Sequence, residues 1–95
     1  MKLLFCADCS DIFKLMTFEL RQCACGEVKG KYNADGHTAV VNGKGYSLAI
    51  GNGSLWKALF GDITQFEYED YVTFLAWTRP HTGEKNPRTT IDETL

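Results

Sequence analysis

Three features of the chain predict a small, β-rich α+β fold. Two close cysteine pairs are confined to the first 25 of its 95 residues. The hairpin dipeptides Asp35-Gly36 and Asn42-Gly43 separate short apolar runs, and one compact apolar stretch, Leu55–Phe60, follows Asn52-Gly53-Ser54. The first feature predicts an N-terminal lobe pinned by a metal ion, the second a small antiparallel sheet, the third a single short helix. Composition agrees with a globular chain: 44% hydrophobic, 13% aromatic and 23% charged, with a formal charge of −2. Full disorder, collagen and coiled coil are thereby excluded.

The cysteines stand as Cys6-Ala7-Asp8-Cys9 and, after residues 10–22, as Cys23-Ala24-Cys25-Gly26. A close pair puts two sulfurs on one tight turn whose backbone amides can point at thiolates. Two such turns supply four ligands at the corners of a tetrahedron, which Zn²⁺ accepts without electronic preference. Four thiolates also suit a single iron. Gly26 fits the second turn, since aiming amides at sulfur often needs a positive φ; Ser10 occupies the matching place after Cys9. Crossed disulfides would need an oxidising compartment. A thioredoxin-like reading would need a βαβ setting that the neighbouring residues do not offer. The expectation is structural Zn²⁺ on Cys6, Cys9, Cys23 and Cys25. Four cysteines close the coordination sphere, whereas a catalytic zinc keeps one position for water. The spare imidazoles, His37 and His81, lie at no ligand spacing.

On these knuckles, residues 1–28 resemble a zinc ribbon, the rubredoxin-like group in which two metal-binding turns flank a β-hairpin. Cys23-Ala24-Cys25-Gly26 is one residue shorter than the group's usual second knuckle. More loosely, the chain is similar to short bacterial and phage proteins that pair such cysteines with a later Asn-x-Ser-Leu, here Asn52-Gly53-Ser54-Leu55. That likeness implies no activity.

The remaining elements follow from periodicity. Met16, Phe18 and Leu20 alternate with Thr17, Glu19 and Arg21, which predicts a strand, with Phe13 and Leu15 in its partner. Lys29–Asn33, His37–Val41 and Tyr46–Ile50 read as a three-stranded meander, shortened and twisted by Gly30, Gly43 and Gly45. Ser54 is expected to cap the helix and Gly61 to end it. Phe66 and Tyr68 alternate with acids, and Val72, Phe74 and Ala76 with Thr73, Leu75 and Trp77, which predicts one or two final strands. Residues 79–95, rich in Thr and carrying Arg79-Pro80 and Asn86-Pro87, read as a flexible polar tail. The domain is therefore placed at 1–78, with the zinc-ribbon-like lobe at 1–28 and the sheet and helix at 29–78.

Function is read from surfaces. Asp62–Tyr71 gathers four acids and three aromatics, so Phe66, Tyr68, Glu69, Asp70, Tyr71 and Trp77 are candidate contacts for a protein partner. The bland alternative is an edge strand whose charges discourage pairing. Lys14, Arg21, Lys29 and Lys31 offer a nucleic-acid reading, but residues 1–31 hold only five basic against four acidic side chains. Phosphate-backbone affinity needs accumulated positive charge. Gly51–Ser54 could present amides to an anion and is read instead as a strand-to-helix turn. His81-Thr82-Gly83-Glu84-Lys85 resembles a zinc-finger linker, without a finger before it. No catalytic set is recognisable.

The chain is expected to be non-catalytic and cytoplasmic, to lack a membrane span, and to act through protein–protein contacts, a homodimer included. An inhibitor or modulator of a host protein is the form that the phage likeness implies. Nucleic-acid binding is the alternative, and a thiol switch that releases zinc is a third reading.

Overall fold

The computed structural model describes residues 1–61 and 73–95. Within them the order is β1 (Lys2–Phe5), β2 (Ile12–Lys14), β3 (Arg21–Gln22), β4 (Lys29–Tyr32), β5 (Ala39–Val41), β6 (Tyr46–Ile50), α1 (Asn52–Phe60), β7 (Ala76–Arg79) and β8 (Thr89–Ile91). The first sheet has the order β2-β1-β6-β7 and is antiparallel throughout. The second has the order β3-β4-β5-β8, with β8 parallel to β5. Among the described residues no helix is long and apolar enough to cross a membrane.

Register explains how the sheets meet. Leu4 pairs with Phe13 on one side and Ser47 on the other, so these three share the inward face of the first sheet. Gly30, Val41, Ala39 and Thr89 share the inward face of the second. Leu4, Cys6, Phe13, Leu15, Cys23, Val28, Ala39 and Val41 form the core cluster between them. At Gly30 the layers nearly touch: a Cβ there would lie 2.9 Å from Leu4 Cδ1 and 3.1 Å from Val41 Cγ1.

Several expectations need correction. The meander is broken, because only β4 and β5 pair; β6 crosses to the first sheet and joins β1. Asn42-Gly43 is no two-residue hairpin. Asn42 is buried and brackets the corner, its amide nitrogen donating to Glu27 O at 2.8 Å while Oδ1 accepts from Lys29 N and Lys44 N. Positive φ at Gly43 and Gly45 then redirects the chain. Asp35-Gly36 does join β4 to β5, stapled by Asp35, whose carboxylate accepts from the Thr38 amide, the His37 amide and the Thr38 hydroxyl. These three donors hold the Asp35 carboxyl down at about 2.

Of the strand expected over 16–21, residues 16–20 form none, and only Arg21 enters one, as the start of β3. Phe18 is 96% exposed, and no sheet face receives Met16 or Leu20, so period two alone did not make a strand. The partner of β2 is β1 instead. Strands β1 and β2, assigned to a separate lobe, share a sheet with β6 and β7, while β3 joins the other sheet. Ser54 does not cap the helix. It lies within α1, donates to Gly51 O at 2.9 Å and accepts the Leu75 amide at 2.8 Å. Of the final strands, Ala76–Arg79 forms the edge of the first sheet; residues 66–72 lie outside the described residues.

The segment 79–95 differs most from its expected form as a tail. It supplies β8, and Asn86 and Thr89 are each only 2% exposed. Its order comes from polar bonds rather than apolar burial. Asn86 donates to Pro80 O and His81 O and accepts from the Thr89 hydroxyl; Thr82 Oγ1 donates to Thr89 O. Lys2 Nζ reaches Thr89 Oγ1 at 2.7 Å from the first sheet.

Gly45 gives a sharp test of the crossing between sheets. It has φ +72°, and a Cβ would meet Phe5 O at 2.5 Å, a backbone atom that cannot step aside. Gly45→Ala should cost about 3 kcal/mol, from the left-handed penalty plus overpacking. Gly30→Ala, where the obstructing atoms are side-chain ends, should cost about 1 kcal/mol. Urea unfolding of the two variants checks the order.

Candidate metal centre

The two cysteine pairs are brought together by β1 and β3. Cys6 directly follows β1 and Cys23 directly follows β3, and both are buried in the core. Each pair sits on a turn closed by backbone bonds. Cys6 N donates to Asp11 O at 2.9 Å, Cys23 N to Val28 O at 3.0 Å, and Gly26 N to Cys23 O at 3.0 Å. Ser10 and Gly26, the residues after the second cysteine of each pair, adopt φ +60° and +81°. The turns therefore use the same left-handed step, although only one provides glycine for it.

All four sulfurs lie within 4.8 Å of one another. Cys25 Sγ is 3.7 Å from Cys6 Sγ and 3.5 Å from Cys23 Sγ. An ion held by four sulfurs at about 2.3 Å sets tetrahedral edges of about 3.8 Å. These two separations lie near that figure and are far too long for the S–S bond of about 2.05 Å. All four cysteines are free. The donor set and its spacing thus suit a metal ion, with every coordination position taken by protein.

The thiols share protons unequally. Burial opposes ionisation of Cys23, but the Val28 amide, 3.3 Å from its sulfur, and the neighbouring thiols bring it down to about 6. The Glu27 amide favours the Cys25 thiolate, yet sharing its proton with Cys23, together with burial, drives it up to about 12. Cys9 is lowered, chiefly by backbone amides at Cys25 and Asp11. A cation at the centre would hold all four as thiolates.

Sequence reasoning missed Asp11. Its Oδ2 accepts the Ala24 amide at 2.8 Å, so the residue that closes the first turn through its carbonyl also grips the second turn through its side chain. An Asp two places beyond a cysteine pair was the available signal, but its target lay 13 positions away.

The other candidates are dispersed. Of the proposed partner contacts, Phe66, Tyr68, Glu69, Asp70 and Tyr71 lie outside the described residues. Trp77 stands on β7, 42% exposed, with the Arg79 guanidinium 5.6 Å from its ring centre. The basic quartet does not form one patch. Arg21 pairs with Gly30 and so faces away from Lys29 and Lys31, and its guanidinium donates to Lys14 O at 3.1 Å. A serine–histidine contact exists, Ser47 Oγ to His81 Nδ1 at 2.7 Å, but Ser47 is buried and His81 Nε2 meets Gly45 O at 2.9 Å. Both ring nitrogens are engaged, and the pair fastens the loop after β7 to β6.

No protein family, curated protein or solved structure compared with the chain matches it.

Asp11→Ala should weaken binding of a divalent ion to the cysteines by about tenfold, the usual effect of removing a group that orients ligands. Asp8→Ala should leave it unchanged. Competition between Co²⁺-loaded protein and a coloured chelator measures both.

Proposed function

We propose that the chain is a zinc-stabilised, non-catalytic module that works in the cytoplasm by binding another protein. The observation that carries this reading is the closed quartet of Cys6, Cys9, Cys23 and Cys25, whose sulfurs lie within 4.8 Å. Zinc is favoured because it takes four thiolates without a geometric preference of its own. A sphere filled by protein gives the ion a structural task, and a reducing compartment keeps such thiols from oxidising. The zinc-ribbon likeness of residues 1–28 belongs to the same proposal.

Action through a protein partner is supported by apolar surface near one end of the first sheet. Trp56, Leu59 and Phe60 on α1 and Leu75 before β7 are each more than 60% exposed. The Trp56 and Phe60 rings meet with centroids 4.5 Å apart, tilted at 50° to each other. Rigid aromatics of this kind anchor interfaces at low entropic cost. An inhibitor or modulator of a host protein is the form the phage likeness suggests.

Elemental analysis of purified protein should return one zinc per chain. Apparent zinc affinities in finger peptides are worth about 10 kcal/mol, comparable with a whole domain's stability. A strong chelator should therefore abolish the near-ultraviolet circular dichroism and open the chain to protease; unchanged traces would remove the structural role. In a pull-down from host extract, wild type should retain a stoichiometric protein that Trp56→Ala/Phe60→Ala loses. Absence of any such partner would overturn the binding reading.

A further inference from the structure

The inward face of the first sheet continues beyond the core. Lys2 pairs with Ala49, Ala49 with Trp77, and Ser47 with Arg79, so Lys2, Trp77 and Arg79 share the face that carries Leu4. The second sheet covers Leu4 but leaves the β6–β7 end open. There a cleft of about 710 Å³ forms against the β4–β5 turn and the loop holding Arg88. That volume is typical of small-ligand sites.

The charge of this cleft has one sign. Lys2, Arg79 and Arg88 line it, and among the described residues no carboxylate does. The ammonium of Lys2 is half-buried and held by neutral acceptors, Thr89 Oγ1 at 2.7 Å and Asn86 Oδ1 at 3.4 Å. Burial, then Arg79, then Arg88 lower its proton affinity, the mark of cations crowded together. Among the described residues the ion pair is Lys44–Glu27, elsewhere on the surface. Gly51 and Asn52, where α1 begins, also line the cleft. That helix has no side-chain cap and no acid in its first turn. Its partial positive charge adds to the three side chains.

We propose that this cleft binds a small phosphate-bearing ligand, its oxygens on Lys2, Arg79 and Arg88 beside the first turn of α1, its organic part along Trp77. Arg and Lys make their strongest hydrogen bonds to ionised oxygens of this kind, and an exposed indole edge offers a platform for a planar group. The site shares no residue with the cysteine quartet or with the surface of Trp56, Leu59, Phe60 and Leu75, so it stands or falls separately from the metal and from that partner surface.

Titration of the metal-loaded, isotopically labelled full chain with pyrophosphate and with ADP tests it. The amide signals of Lys2, Asn52, Arg79 and Arg88 should move together and saturate. Arg88→Gln, at an exposed position, should weaken binding about tenfold, the worth of one charge-assisted hydrogen bond. Lys29→Gln removes the same charge on the outward face of the second sheet and should leave affinity unchanged. Tighter binding of ADP than pyrophosphate assigns a nucleotide; equal binding assigns the phosphate chain alone, and either supports the site. No saturable shift with either probe, equal losses in the two variants, or binding confined to a single-stranded oligonucleotide would overturn it.

Discussion

The rest of the fold depends on bringing four sulfurs to within 4.8 Å of one another on two separate turns. Close thiols do not attract one another enough to hold such a cluster, and four thiolates would repel. A cation between them reverses the sign of that interaction. The cluster is also no appendage. Cys6 continues from β1 of one sheet, Cys23 from β3 of the other, and both pack with Leu4, Phe13 and Val41 in the core. A tetrahedral ion bound here would join the two sheets at their interface, so metal binding and closure of the core become one event. Asp11 reinforces this, because its side chain links the two turns through protein alone.

A second fastening lies in the same interface and is polar. Lys2 from β1 reaches Thr89 and Asn86, 87 and 84 positions later in the chain. Asn86 satisfies its own amide on Pro80 and His81, and His81 is tied to Ser47 and Gly45. Each group alone would be costly to bury; together they leave no buried side-chain polar atom without a partner among the described residues. The two fastenings act on different residues, one through sulfur and the other through neutral oxygen and nitrogen.

This contrast explains what could be read from the sequence. The cysteine cluster was legible because its pattern is local: two cysteines within four residues, twice, with Gly26 marking the turn. The β4–β5 turn was legible for the same reason, through Asp35-Gly36. What was not legible depended on partners far away. Met16–Leu20 has strand periodicity, but alternation specifies a strand only where a sheet face is present to bury one side. Tyr46–Ile50 was recognisable as a strand, while its pairing with β1 rather than β5, beside the close approach of Gly45 to Phe5 O, is a distant contact that spacing does not encode. Residues 79–95 were read as tail because they lack large apolar side chains. Their order arises from hydrogen bonds that composition does not count.

The open end of the first sheet follows from the same architecture. Among the described residues each sheet has four strands, but the second ends in β8, paired in parallel to β5 and held near β1 by the Lys2 contact. Ser47 and Ala49 of β6 are buried as well, so it is β7 that presents its inward side chains at the rim. Those side chains are not what a buried strand would carry: β7 offers Trp77 and Arg79 where apolar residues would complete a core. Had the second sheet extended over them, the Arg79 guanidinium would have needed a buried acid, and none of the described residues lining the cleft is one. The limited reach of the second sheet and the cationic rim of the first are therefore consistent with each other. The protein keeps Cys6 and Cys23 in the packed interior, leaves Cys25 at the surface, and holds its concentrated positive charge where solvent, or an anion, can reach it.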